Sequence, residues 1–237
     1  LMNIGLLIAG GVGQRMGQEI PKQFININDK PVIIYTLEAF QNHPDIDAIA
    51  VVCLDGWHHV LDVYAKQFNI TKLKYIVSGG DNGQASIRNG VYELEKHFGP
   101  DDIVLIHDAI RPMVSQEIIS DCIRVTKEKG NAITVIPCAE AMLVSESQTD
   151  STEIYNRDHL KRTQTPQAFY IKDICDLHRE AIEKGILNSV ASCTLMVELG
   201  KEVYFSKGSE KNVKLTTVED LDIFKALLTL KRSEWLR

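Results

Sequence analysis

Long apolar runs are missing from the 237 residues. The longest, such as Ile4 to Ala9, fall far short of the ~20 residues that cross a bilayer, so no membrane partner is read. No charged start is followed by an apolar stretch and a cleavage site, so a cytoplasmic location is expected. Positive charge is also scarce: 26 Lys and Arg stand against 32 Asp and Glu, a formal charge of −6. Non-specific binding to a DNA or RNA backbone relies on a basic face, so no nucleic-acid partner is expected. A local cluster of Lys and Arg can still attract a small phosphate. The five cysteines, Cys53, Cys122, Cys138, Cys175 and Cys193, contain no Cys-x-x-Cys pair. Neither a zinc ribbon nor a disulfide framework is indicated, and buried, inert thiols are expected. The histidines form no metal-binding array. At 44% hydrophobic and 24% charged residues, the composition is that of an ordinary globular chain, long enough for one large α/β domain.

What the sequence does have is alternation. Asn3 to Ala9 is a continuous apolar run ending in glycines, the pattern of a strand buried on both faces. Further strands are predicted at Ala48 to Cys53, Lys74 to Val77, Ile103 to Ile106 and Ala132 to Ile136. Helices are predicted between them. Pro31 to Phe40 has proline in its first turn and Ile33, Ile34, Leu37 and Phe40 on one face. The others are about Trp57 to Phe68, about Ala85 to His97, and Gln116 to Glu128. Strand alternating with helix predicts a single α/β, Rossmann-like domain over residues 1–237, with a largely parallel sheet and helices on both faces. The rhythm changes at Glu140. Residues 139–169 hold no clear helix, yet ~30 unstructured residues are uncommon inside a compact domain. They predict a protruding β-arm that reaches a partner subunit. Helices return at Lys172 to Lys184, Ala191 to Leu199 and about Val218 to Leu230, with a strand at Glu202 to Phe205.

Three loops carry the chemistry. Ala9-Gly10-Gly11-Val12-Gly13-Gln14-Arg15-Met16-Gly17 follows the first strand and leads to Pro21-Lys22-Gln23. Glycines at a strand end let backbone N–H groups approach phosphate oxygens. A Walker loop needs Gly-Lys followed by Ser or Thr, which is absent, and a dinucleotide fingerprint needs a third glycine where Met16 stands. What remains is a phosphate loop with two cations, Arg15 and Lys22, suited to the roughly four negative charges of a nucleoside triphosphate. A structural turn with two solvated basic residues is the alternative. Ser78-Gly79-Gly80-Asp81-Asn82-Gly83-Gln84-Ala85-Ser86 also follows a strand and opens a helix. Its small residues suit close approach to a base or ribose, with Ser86 offering a hydrogen bond, or else a tight connection. His107-Asp108-Ala109-Ile110-Arg111-Pro112 places an acid and a guanidinium at a strand end. They are able to hold Mg2+ and a phosphate or ribose, or to form a plain surface ion pair. All three loops leave strands at one edge of a parallel sheet, which predicts a single crevice.

The first and third loops, Pro21-Lys22-Gln23-Phe24, Thr163-Gln164-Thr165-Pro166-Gln167 and Asn212-Val213-Lys214-Leu215-Thr216-Thr217-Val218-Glu219-Asp220-Leu221 together resemble the IspD/TarI cytidylyltransferase family over nearly the whole chain. The resemblance implies a nucleotidyltransferase fold, a homodimer with crossed arms, and transfer of CMP from CTP to a polyol phosphate with release of pyrophosphate. The family's acceptors are 2-C-methyl-D-erythritol 4-phosphate, in isoprenoid synthesis, and ribitol 5-phosphate, in teichoic acid or capsule synthesis. By the same resemblance Arg15, Lys22 and Lys214 are catalytic. Ala9, Gly10, Gly11, Gly13, Gly79, Gly80, Ser86, Asp108 and Arg111 bind the nucleotide, and Asp108 also sits by Mg2+. Thr165 contacts the acceptor, and Arg157 binds the acceptor phosphate in the other subunit's site. No general base is needed, because a phosphate monoester is already anionic at neutral pH. Three positions depart from the family pattern: Gly83 stands where Arg is usual, Glu140-Ala141 where Asp-Thr is, and Asn188-Ser189 where Thr-Asp is. Two of these lie where the acceptor binds. Asn156-Arg157-Asp158-His159-Leu160 resembles the ribitol phosphate branch more closely. A sugar-phosphate nucleotidyltransferase using another nucleoside triphosphate, and a nucleotide-binding protein without turnover, are the alternatives.

Overall fold

The computed structural model describes residues 1–11 and 19–234. The chain opens with β1 (Asn3–Ala9). A 3-10 turn at Lys22–Phe24 and the small ladder β2 (Asn26–Ile27) and β3 (Lys30–Pro31) precede α1 (Val32–Gln41). Then come β4 (Ala48–Cys53), α2 (His58–Gln67), β5 (Leu73–Ser78), α3 (Gly83–Glu95), β6 (Ile103–Asp108), α4 (Gln116–Lys129) and β7 (Asn131–Pro137). The hairpin β8 (Met142–Val144) and β9 (Glu153–Tyr155), a 3-10 turn at Arg157–His159, β10 (Lys161–Tyr170) and α5 (Ile171–Glu183) follow. The chain closes with α6 (Ser192–Glu198), β11 (Phe205–Lys207) and α7 (Val218–Glu234).

Seven strands form one sheet in the order β11-β7-β10-β6-β1-β4-β5. β1 pairs in parallel with β4 and β6, and β5 pairs in parallel with β4. Side chains alternate between the faces of these strands. Ile4, Leu6, Ala50, Val52, Val104 and Ile106 pack with Val91 and Leu94 of α3 and Ile174 and Leu177 of α5. Leu7, Val51 and Leu105 pack on the other face with Ile33, Leu37 and Phe40 of α1 and Ile119 of α4. Because both faces are covered, the central strands β1, β4 and β6 read as largely apolar runs, whereas the edge strand β5 carries Lys74 and Ser78. A third apolar cluster joins α7, through Leu221 and Phe224, to Val32, Ile110, Met113 and Leu215. The five cysteines are free and buried. Burial pushes the thiols of Cys53, Cys122 and Cys175 up to about 12. Among the described residues no helix is long and apolar enough to cross a membrane.

The arm is shorter than residues 139–169. Only the β8–β9 hairpin and the 3-10 turn after it leave the sheet; Lys161–Tyr170 is β10, inserted antiparallel between β6 and β7. This strand lacks an apolar signature: its buried glutamines find their partners on segments distant in sequence. Gln164 Nε2 donates to the Ser209 carbonyl at 2.9 Å, and Gln167 Oε1 accepts from the Cys193 N–H at 2.9 Å. β11 also starts later than Glu202. The Tyr204 N–H goes to the Asn131 side chain at 3.0 Å, so ladder pairing begins at Phe205.

Candidate active site

β6, β1, β4 and β5 end side by side, and three interstrand steps of about 4.8 Å make that edge about 14 Å wide. At the β5 end, the first two loops meet. Ser86 Oγ accepts from the Gly80 N–H at 3.0 Å, and a Cβ added to Gly10 or Gly79 would lie 3.4 or 3.3 Å from that oxygen. Gly10 and Gly79 thus approach each other in a way side chains would hinder. Gly80 has less room still, since a Cβ there would stand 2.5 Å from the Ala85 Cβ. Asn82 caps α3, its Oδ1 accepting from the Ala85 N–H at 2.9 Å. The Ser86 oxygen therefore holds the loop's own backbone. Among the described residues, a Cβ at Gly83 would meet nothing within 4 Å, so the position has room for the larger side chain usual there.

At the β6 end, charges converge. Arg111 Nε donates to Asp108 Oδ2 at 3.0 Å, and Lys214 Nζ lies 3.4 Å from the same oxygen. The Arg111 and Asp108 side chains are only 12% and 22% exposed, which sets them apart from a solvated surface pair. Arg111 Nη1 also donates to the Asn212 carbonyl at 2.8 Å, and the Leu215 N–H to the Ile110 carbonyl at 2.9 Å. These bonds stitch the segment bearing Lys214 to the third loop. Burial works to raise the Asp108 pKa, but Lys214 and then Arg111 outweigh it and the net shift is downward. Asp108 is therefore a carboxylate at neutral pH. Beside it, burial pushes His107 down to about 4, against its hydrogen bond to the Arg111 carbonyl and the Asp108 charge. Its imidazole is neutral.

The remaining candidates divide. Lys22 is carried by the 3-10 turn at Lys22–Phe24, which is pinned to the first loop through Gln23. The buried Gln23 amide donates to the carbonyls of Ala9, at 2.8 Å, and Gly11, at 3.1 Å. Phe24 stacks on Trp57 with centroids 4.7 Å apart. Thr165 sits where the β10 register shifts between Thr163 and Gln167. Its Oγ1 accepts from the Asp108 N–H at 3.0 Å and lies 2.9 Å from His107 Nδ1. Arg157 stands apart from this cluster. It lies in the arm, where its guanidinium donates to the Ala139 carbonyl. The four residues from Thr165 back to Lys161 span about 13 Å of strand before that turn begins. Arg15 and Gly13 lie outside the described residues.

Gln23 and Asn212 escaped the sequence reading as functional residues. Each acts through backbone carbonyls, and only adjacency to Lys22 and Lys214 marks them. The described residues hold no group of three or more His, Cys, Asp or Glu side chains able to ligate a metal. Mg2+ commonly takes one or two carboxylates and completes its shell with substrate phosphates and water. The single Asp108 carboxylate fits that mode.

Comparison with known proteins supplies the family to which this chain belongs. The model of the IspD family, described as 2-C-methyl-D-erythritol 4-phosphate cytidylyltransferase, matches residues 4–230. The chain belongs to the IspD family. The ribitol-5-phosphate cytidylyltransferase of Lacticaseibacillus paracasei is 45% identical over 97% of this chain and 99% of its own. That of Vibrio parahaemolyticus is 40% identical over 96% of each. Among solved structures, the 4-diphosphocytidyl-2C-methyl-D-erythritol synthase of Anaerococcus prevotii superposes with a TM-score of 0.81 over 96% of each chain. At 23% identity that likeness speaks to the IspD fold alone. The Rossmann-like nucleotidyltransferase fold expected from the sequence is the one observed.

Proposed function

We propose that this cytidylyltransferase moves CMP from CTP to ribitol 5-phosphate, as a homodimer with crossed arms and with Mg2+. CTP-dependent transfer to a polyol phosphate follows from its family. Ribitol 5-phosphate is favoured because the relatives at 45%, 40% and 38% identity carry that acceptor in their names. The observation that carries the site reading is the convergence of Lys214 and Arg111 on Asp108 at the same sheet edge as the Gly10–Gly79 cradle.

In this reading the base and ribose lie against Gly79 and Gly80, and the triphosphate runs across the end of β1. A phosphate oxygen of the acceptor attacks the α-phosphorus in line. A new P–O bond forms as the bond to the β-phosphate's bridging oxygen breaks, and pyrophosphate leaves with the electron pair. The nucleophile is already an anion, so positioning and charge compensation supply the catalysis. Lys22, Lys214 and Arg15 stabilise charge on the α-phosphate and the departing pyrophosphate. Arg111 is committed to Asp108 and the Asn212 carbonyl, so it braces the cluster. Asp108 is the residue that would hold Mg2+, which when bound neutralises triphosphate charge. Thr165 adjoins the acceptor's side of the cluster.

The arm supports a dimer. Leu143 and Ile154 are 64% and 80% exposed and line a cavity of about 350 Å3 together with Arg157. Apolar surface clustered on a protruding hairpin calls for a partner, and a second copy supplies one while carrying Arg157 toward the other site. Both substrates are charged metabolites, which supports a cytoplasmic location. The test is incubation with each of the four nucleoside triphosphates and ribitol 5-phosphate, methylerythritol 4-phosphate or neither, products being read by mass. CDP-ribitol and pyrophosphate are expected from CTP with ribitol 5-phosphate. Turnover with a different nucleotide, or CTP binding without turnover on either acceptor, contradicts the reading.

A further inference from the structure

His107 is fully buried at the penultimate position of β6, and the reaction as described gives it no task. Its ring packs 5.3 Å from that of Phe40, and both of its nitrogens are engaged. Nε2 is 3.1 Å from the Arg111 carbonyl oxygen. A carbonyl only accepts, so Nε2 carries the proton and Nδ1 is left as an acceptor. Nδ1 is 2.9 Å from Thr165 Oγ1, which therefore donates its hydroxyl proton to the ring. The same oxygen accepts from the Asp108 N–H at 3.0 Å. The direction of every bond is thereby fixed: Asp108 N–H to Thr165, Thr165 O–H to His107, His107 N–H to the Arg111 backbone.

The circuit closes through side chains. Arg111 bonds Asp108 Oδ2 and the Asn212 carbonyl, and Asn212 Nδ2 donates to the Thr165 carbonyl at 2.9 Å. His107 thus ties together the end of β6, the turn bearing Arg111 and the irregular part of β10. We propose that His107 is a positioning residue for the transfer step, its ring setting the Thr165 hydroxyl and the Arg111 turn and so the place of Asp108 and Lys214. The proposal rests on the reading that Asp108 and Lys214 face the triphosphate. It also assigns the Thr165 hydroxyl proton to the protein rather than to the acceptor.

Substitutions separate the two nitrogens. His107→Phe keeps a ring and loses both bonds. His107→Asn retains an acceptor within reach of Thr165, and Thr165→Val deletes the hydroxyl at constant shape. With CTP and ribitol 5-phosphate, His107→Phe is expected to lower kcat roughly 10- to 100-fold, the scale of a small misplacement. Its KM for CTP should stay within about threefold of the parent, as expected when only transition-state interactions are lost. Thr165→Val should fall similarly, and the double variant should be no worse than the weaker single one, because both cut the same chain. His107→Asn should recover kcat above that of His107→Phe. Parental kcat in His107→Phe, multiplicative losses in the double variant, or no recovery by His107→Asn overturns the proposal. Should His107→Phe fail to fold, parental kcat in Thr165→Val overturns it instead. Lys214→Ala, assayed alongside, tests the underlying reading separately: parental kcat there removes that reading, whatever the His107 variants do.

Discussion

His178 lies on α5 with 1% of its surface exposed, and neither ring nitrogen has a hydrogen-bond partner among the described residues. Burial, and then the nearby Arg88 charge, push its pKa down from 6.5 to about 4. Between these values the unfolded chain binds a proton that the folded chain refuses, so stability falls as pH drops through that window. The share from His178 alone is about 2 kcal/mol at pH 5. His178→Leu is therefore expected to raise the midpoint of urea unfolding more at pH 5 than at pH 7.5; an equal shift at both contradicts the assignment. At this scale the sequence exposes residues whose chemistry has a spacing, as with Asp108 and Arg111. It conceals residues whose work is a bond to the main chain. Gln23, Asn212 and His107 all hold carbonyl oxygens or local loops, and no residue-type pattern marks such a bond.

Among elements, the buried parallel strands β1, β4 and β6 were legible because two apolar faces leave uninterrupted runs in the sequence. β10 was not, since Gln164, Thr165 and Gln167 satisfy their polar groups through specific tertiary partners that no local pattern announces. The glycine loops were legible as loops, and what each glycine permits required coordinates. Gly80 is the sharpest case. A methyl group there would stand 2.5 Å from the Ala85 Cβ and 2.8 Å from its carbonyl carbon, so the loop must shift or strain by about 1–3 kcal/mol. If this loop seats the nucleoside, Gly80→Ala should raise the KM for CTP roughly tenfold or more. Steady-state kinetics with varied CTP checks this, and a KM within twofold of the parent contradicts it.

For the whole molecule, the sheet order brings three separate sequence motifs to one rim, while Arg157 stays with the arm. In the proposed crossed-arm dimer, the partner's arm would complete the site. Lys22→Ala and Arg157→Ala proteins should each be nearly inactive, yet co-expression should restore about a quarter of parental activity, from mixed dimers with one intact site each. No recovery contradicts sharing across subunits. Charge compensation at the rim is the claim on which the mechanism stands, and Lys214 is its best-placed described member, 3.4 Å from Asp108. The most direct measurement is kcat for CMP transfer by Lys214→Ala with CTP and ribitol 5-phosphate at saturation. A loss of about 10²–10³-fold with an unchanged unfolding midpoint is expected, the scale of one preorganised transition-state contact. A loss under about threefold would contradict the account, because so small an effect assigns Lys214 no share of the transition-state charge.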